Sequence, residues 1–217
     1  MEEENNIIDQ ENKTVNESKL IFEIWIKPTQ TLKYILNSCP EKYVTLFIVL
    51  GGVSKAISKA SEKNAGDNMS TMLVLTYAII GGALFGWISY YIYAFFLSIT
   101  GKWINGKAEP NQFRTVLAWA SVPTLSSLIL LMPELLIFGD DLFRSELSNS
   151  DLLYQILYST FVLIELVLGI WTLVISVKGI SIIQEFGIGK SILNLFLPAL
   201  LLMGAVLIII LAVYALR

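Results

Sequence analysis

Glu165 has the clearest capacity for chemistry in this 217-residue sequence, because it lies near the middle of an apolar run from Leu152 to Val177. A carboxylate in that setting costs about 2.5–3.5 kcal/mol on insertion scales, so it requires a partner, a wet cavity or a proton. Tyr158, Glu165, Gly169, Thr172 and Ser176 follow spacings of seven, four, three and four, which gather them within a narrow arc of one helix. Leucine, isoleucine and valine are left for the lipid side. Lys55, in the far half of the first apolar block, and Glu134, near the end of the third, are expected at similar depth, where an ion pair can form. Such a set suits either a proton or cation site or plain hydrogen-bonded packing.

Other chemistries are closed. The chain has no histidine, and Cys39 is its one cysteine, which excludes a disulfide framework, a Cys/His zinc site and any nucleophile that relies on a histidine base. Ser54 and Ser58 neighbour Lys55 in sequence, but adjacent positions on a helix diverge, so no serine-lysine dyad is expected. Gly187 to Ser191 ends like a phosphate loop, yet Gln184 stands where the first glycine belongs and no strand precedes it. No catalytic residue, cofactor or metal site is expected, and the chain is read as non-enzymatic. With a net charge of -3 and basic residues scattered over loops, no nucleic-acid face is expected either.

The elements that hold these residues are membrane spans. The composition is 55% hydrophobic with a mean hydropathy of +0.66, and the excess is concentrated in five blocks. Met72 to Thr100 contains no charged residue in 29 positions, more than the roughly 20 needed to cross a bilayer. Spans are expected at Tyr43 to Ala60, Met72 to Thr100, Phe113 to Phe138, Leu152 to Val177 and Ser191 to Leu216. In the second, Gly82, Gly86, Ser89 and Tyr93 share a face, and the Gly-x-x-x-Gly pair lets a neighbouring helix approach closely. The third carries Pro123, Pro133 and the small residues Ala118, Ala120 and Ser121, so a kinked, internally packed helix follows. In the fifth, Asn194, Pro198, Ala205 and Ala212 align. A loop back into the membrane is expected from Lys178 to Lys190.

Ahead of the spans, residues 1–19 are acidic and asparagine-rich, lack a signal-peptide pattern and are expected to form a disordered tail. Leu20 to Ser38 is amphipathic, with Thr31, Leu32, Ile35 and Leu36 on one side of a helix starting at Pro28. It either lies on the membrane surface or packs under the bundle. Eight span-flanking cations fall on the N-terminal side of the membrane and five on the other, so the N-terminus is expected in the cytoplasm and the C-terminus outside. The fold class is therefore all-α: a polytopic membrane bundle of five transmembrane helices with an N-terminal amphipathic interfacial helix.

Several short motifs resemble the Yip1-domain family of membrane proteins. They are Trp25 to Leu32, the glycine-bearing second span, the loop from Gly101 to Phe113, Leu117 to Pro123, and Gly189-Lys190-Ser191. The likeness runs from Leu20 to Leu216, making residues 20–217 one membrane domain. The resemblance implies a membrane-organising role: eukaryotic relatives reside in endoplasmic reticulum and Golgi membranes and associate with Rab GTPases and with each other. This chain lacks their long N-terminal region and its Tyr-Gly-Pro-type motif, which argues against carrying over Rab-type GTPase binding. It looks more like the short prokaryotic members, for which the membrane would be the plasma membrane. The expected function is a non-enzymatic scaffold or adaptor that self-associates or binds other membrane proteins through Gly82, Gly86, Ser89, Ala118, Ser121 and Pro123. The alternative is a small transporter or channel using Glu165, with Lys55 and Glu134 near its outer vestibule and Tyr158 and Thr172 beside it.

Overall fold

The computed structural model describes residues 17–215, and every regular element among them is helical. Most of the acidic tail, residues 1–16, lies outside the described residues. Its last three residues, Glu17–Lys19, form a 3-10 turn, and the Glu17 carboxylate accepts a 2.5 Å hydrogen bond from Lys42 Nζ. That bond holds the Lys42 ammonium above its ordinary pKa.

Helix α1 (Leu20–Ile26) and helix α2 (Pro28–Ser38) divide at Lys27, because Pro28 needs no N–H partner at the first position of a helix but cannot continue the preceding one. The helix expected to start at Pro28 does so, and a shorter one precedes it. Leu20, Ile24, Leu32 and Ile35 enter a core cluster with Val44, Phe47, Ile48 and Trp119, so the apolar face of the pair meets protein. Phe22 and Ile26 point outward and are exposed.

Five stretches are long and apolar enough to cross a bilayer: Val44–Glu62, Thr71–Trp103, Val122–Phe143, Leu152–Gln184 and Ile188–Ile208. The first two are helices α3 (Val44–Glu62) and α4 (Thr71–Trp103). The expected third span is divided into α5 (Pro110–Ala120), α6 (Val122–Leu125) and α7 (Ser127–Phe138). The breaks fall at Ser121 and Ser126, around Pro123, while Pro133 sits inside α7 without interrupting it. A proline removes one backbone donor and crowds the carbonyl four residues back. Hydroxyls bond back to carbonyls three residues earlier throughout the bend: Ser121 donates to Ala118 O, Thr124 to Ser121 O, Ser126 to Pro123 O and Ser127 to Thr124 O, at 2.6–2.8 Å.

Helix α8 (Leu152–Gln184) corrects the sequence reading. It continues seven residues past Val177, through the stretch expected as a loop, and stops at Glu185, which is left-handed with φ 55°. Gly179, Ile180 and Ile183 are buried there against α5, and that packing outweighs the charge of Lys178 as a boundary signal. At 33 residues each, α4 and α8 are about 50 Å long and must project beyond a hydrocarbon core of about 30 Å. Helix α9 (Ile188–Ala215) completes the bundle.

Candidate functional site

Three internal constructions position the polar residues. The first is a glycine seam between α3 and α4. A methyl group on Gly52 would fall 2.7 Å from the Cα of Gly86 and closer still to the Gly82 carbonyl oxygen, while one on Gly51 would strike the Tyr90 ring. Without side chains in the way the two backbones touch, which is how small residues drive association where lipid supplies no hydrophobic force. Gly82 and Gly86 are therefore occupied within the chain. Ser89 turns back on its own helix, donating to Gly86 O at 2.8 Å. Gly51 and Gly52 went unremarked in the sequence reading, although their adjacency in the first span was the available signal.

The second construction surrounds Trp119, which is fully buried. It meets Phe47 edge to face at 5.0 Å and donates its Nε1 hydrogen to Lys42 O at 3.1 Å. Thr115 donates to Pro40 O at 3.0 Å. The buried segment from Ala118 through Ser121 to Pro123 thus fastens the amphipathic pair and the first span to the kink. Beside it, Cys39 has its thiol pKa raised by burial, against the opposing charge of Lys42.

The third is a buried amide cluster where α4, α8 and α9 meet. Gln184 Oε1 accepts from the Ala108 backbone N–H at 2.9 Å, and Gln184 Nε2 donates to Asn194 Oδ1 at 3.2 Å. Asn194 Nδ2 then reaches Leu97 O at 3.0 Å and Thr100 Oγ1 at 3.1 Å. Gly101 and Gly106 leave the room that the Gln184 amide fills. The residue that rules out a phosphate loop is thus a central structural polar group. Its sequence gave no warning, since a glutamine before a turn is ordinary.

At the opposite end of the bundle lies a cavity of about 150 Å³, roomy enough for several waters. Its polar wall is Ser54, Ser58, Ser61, Glu62, Ser127, Glu134, Tyr158 and Glu165, and its apolar wall includes Phe138, Phe143 and Phe161. Ser54 and Ser127 hydroxyls stand 3.3 Å apart. Phe138 organises the aromatic side, meeting Tyr154, Tyr158 and Phe161 edge to face at 5.2, 5.4 and 5.7 Å. The floor of the connecting turn is tied down by buried Asp141, which accepts from Ser148 N, Ser148 Oγ and Tyr154 OH at 2.7–2.8 Å.

Glu134 is only 6% exposed, lines this cavity and makes no hydrogen bond or ion pair among the described residues. Glu165 faces the same space from α8 but sits at its exposed rim, not sealed inside the bundle. Thr172, further along that arc, reaches Thr124 Oγ1 at the kink at 3.5 Å, and Ser176 is buried. Lys55 is exposed, does not line the cavity and forms no ion pair with Glu134 among the described residues. Its neighbour Ser54 takes the inward position, and the 100° step between adjacent helix residues turns Lys55 away.

Comparison with curated proteins and with solved structures returns no significant match. A family model does match, over residues 22–210, and with five apolar helices of spanning length the chain is an integral membrane protein of the Yip1 domain family.

Proposed function

We propose that this protein is a non-enzymatic membrane organiser, a scaffold or adaptor that works through helix association in the bilayer. One observation carries the reading. From Ala199 to Tyr214, α9 is exposed at every described position except Gly204, so this half of the helix has no partner among the described residues. Lipid tails can cover such a surface, but a helix bare on all sides is also the freest to take a neighbour. The first half of α8 carries a comparable exposed face at Ile156, Leu163 and Val167. The small-residue motif first expected to mediate self-association is spent on α3, so association falls to these outer halves instead.

The rest of the reading follows from charge and family. The N-terminus lies in the cytoplasm and the C-terminus outside, in a plasma membrane, with residues 20–217 acting as one domain. The exposed Phe22 and Ile26 dip into the cytoplasmic interface beside Lys27 and Lys33, which suits an amphipathic pair. Photo-crosslinkers at Leu202 and Leu207, activated in native membranes, test the proposal. Adducts with a second copy or with another membrane protein are expected at both positions, and lipid adducts alone would overturn it.

A second reading rests on the cavity. Glu134 and Glu165 share one space without a cationic side chain, as a small transporter or channel for protons or cations would require. Flux in proteoliposomes decides it: Glu165→Gln is expected to abolish transport, and undiminished flux would remove the carboxylate from any such role.

A further inference from the structure

We propose that the cavity between α3, α7 and α8 is a binding site for an organic ammonium group, carried by a free amine or by a zwitterionic lipid headgroup. Three observations on the site converge. Glu62, Glu134 and Glu165 line it, and no lysine or arginine does, so its fixed charge has one sign. Glu134 is 6% exposed, lines the space and has no hydrogen-bond donor among the described residues. A carboxylate with no protein donor is costly to keep charged in so small a space, and an incoming cation with N–H or polarised C–H groups relieves that cost.

The aromatic part of the lining selects the kind of cation. Phe138, Tyr158 and Phe161 form a connected set of rings at 5.4 and 5.7 Å, and ring faces attract an ammonium most strongly where water is excluded. No group of three metal-ligating side chains occurs among the described residues, and a space of about 150 Å³ exceeds a bare ion. Carboxylates and aromatic rings lining one space are the chemistry that recognises alkylammonium. Binding here does not require that anything cross the membrane, so it stands apart from the transport reading, although both use Glu134 and Glu165.

The test uses the full chain in nanodiscs of phosphatidylglycerol. Ethanolamine and choline are titrated while thermal unfolding is followed, and phosphatidylethanolamine is doped into separate nanodiscs and its retention scored by native mass spectrometry. Stabilisation by the soluble amines identifies a free ligand; retention of phosphatidylethanolamine over phosphatidylglycerol, without an effect of the amines, identifies a headgroup. In either arm Glu134→Gln, checked for unchanged helicity, is expected to weaken binding about tenfold or more. Should that variant fail to fold, Glu165→Gln at the exposed rim carries the same expectation. The proposal is overturned if neither source binds, if sodium stabilises as well as the amines do, or if the folded variant binds like the wild type. Flux is measured separately on the wild-type chain in proteoliposomes, so absence of flux with ammonium binding intact would sink the transport reading alone.

Discussion

At the scale of single residues, Glu134 and Gln184 are opposites. Both are buried polar groups, but Gln184 accepts from Ala108 and donates to Asn194, whereas Glu134 has no hydrogen-bond partner among the described residues. Removing Gln184 orphans the Ala108 N–H and the Asn194 carbonyl, so Gln184→Ala should cost about 1–3 kcal/mol of stability in detergent unfolding. In a double-mutant cycle with Asn194→Ala it should couple by at least about 0.5 kcal/mol. Glu134→Gln removes a carboxylate that no cation or donor among the described residues compensates, and its melting temperature should not fall below that of the wild type; a large drop would mean that the carboxylate holds the fold together. Cys39 offers a pH measurement. Because burial raises its thiol pKa, alkylation by iodoacetamide should reach its half-maximal rate at a higher pH than a free cysteine does, and a lower midpoint would contradict the packing around Pro40 and Lys42.

Among elements, the α3–α4 seam makes a paired prediction. Gly52→Ala pushes a methyl into the Gly86 backbone and should destabilise by about 1–3 kcal/mol, whereas Gly169→Ala in α8 meets nothing and should be neutral or stabilise by about 0.5–1 kcal/mol. Thermal unfolding of both variants in one detergent checks the contrast. These elements also show what could be read from the residues alone. Uninterrupted apolar length marked the spans, because lipid imposes that requirement locally. The proline with its serines announced a bend in the third span, because the missing donor and the hydroxyls that bond back to nearby carbonyls lie within one turn of each other. The end of α8 was hidden, since Lys178 resembles a boundary and only packing on α5 keeps the helix going. Lys55 and Glu134 were matched by depth alone, and depth says nothing about azimuth. That Glu134 and Glu165 share a cavity depends on how α7 and α8 cross, which no local pattern encodes.

The molecule as a whole is a bundle with one tightly fastened end and one looser end. The amide cluster, the Trp119 core and the amphipathic helices close the first, while the cavity and the bare half of α9 lie toward the second. All functional readings rest on five crossings with the N-terminus in the cytoplasm. With Cys39 replaced by serine, single cysteines at Asn64 and Asn149 should react with a membrane-impermeant maleimide in intact cells. Cysteines at Lys107 and Gly187 should react only after permeabilisation. Labelling of all four from one side, or labelling of the last two before the first, would contradict the five-span arrangement and the account built on it.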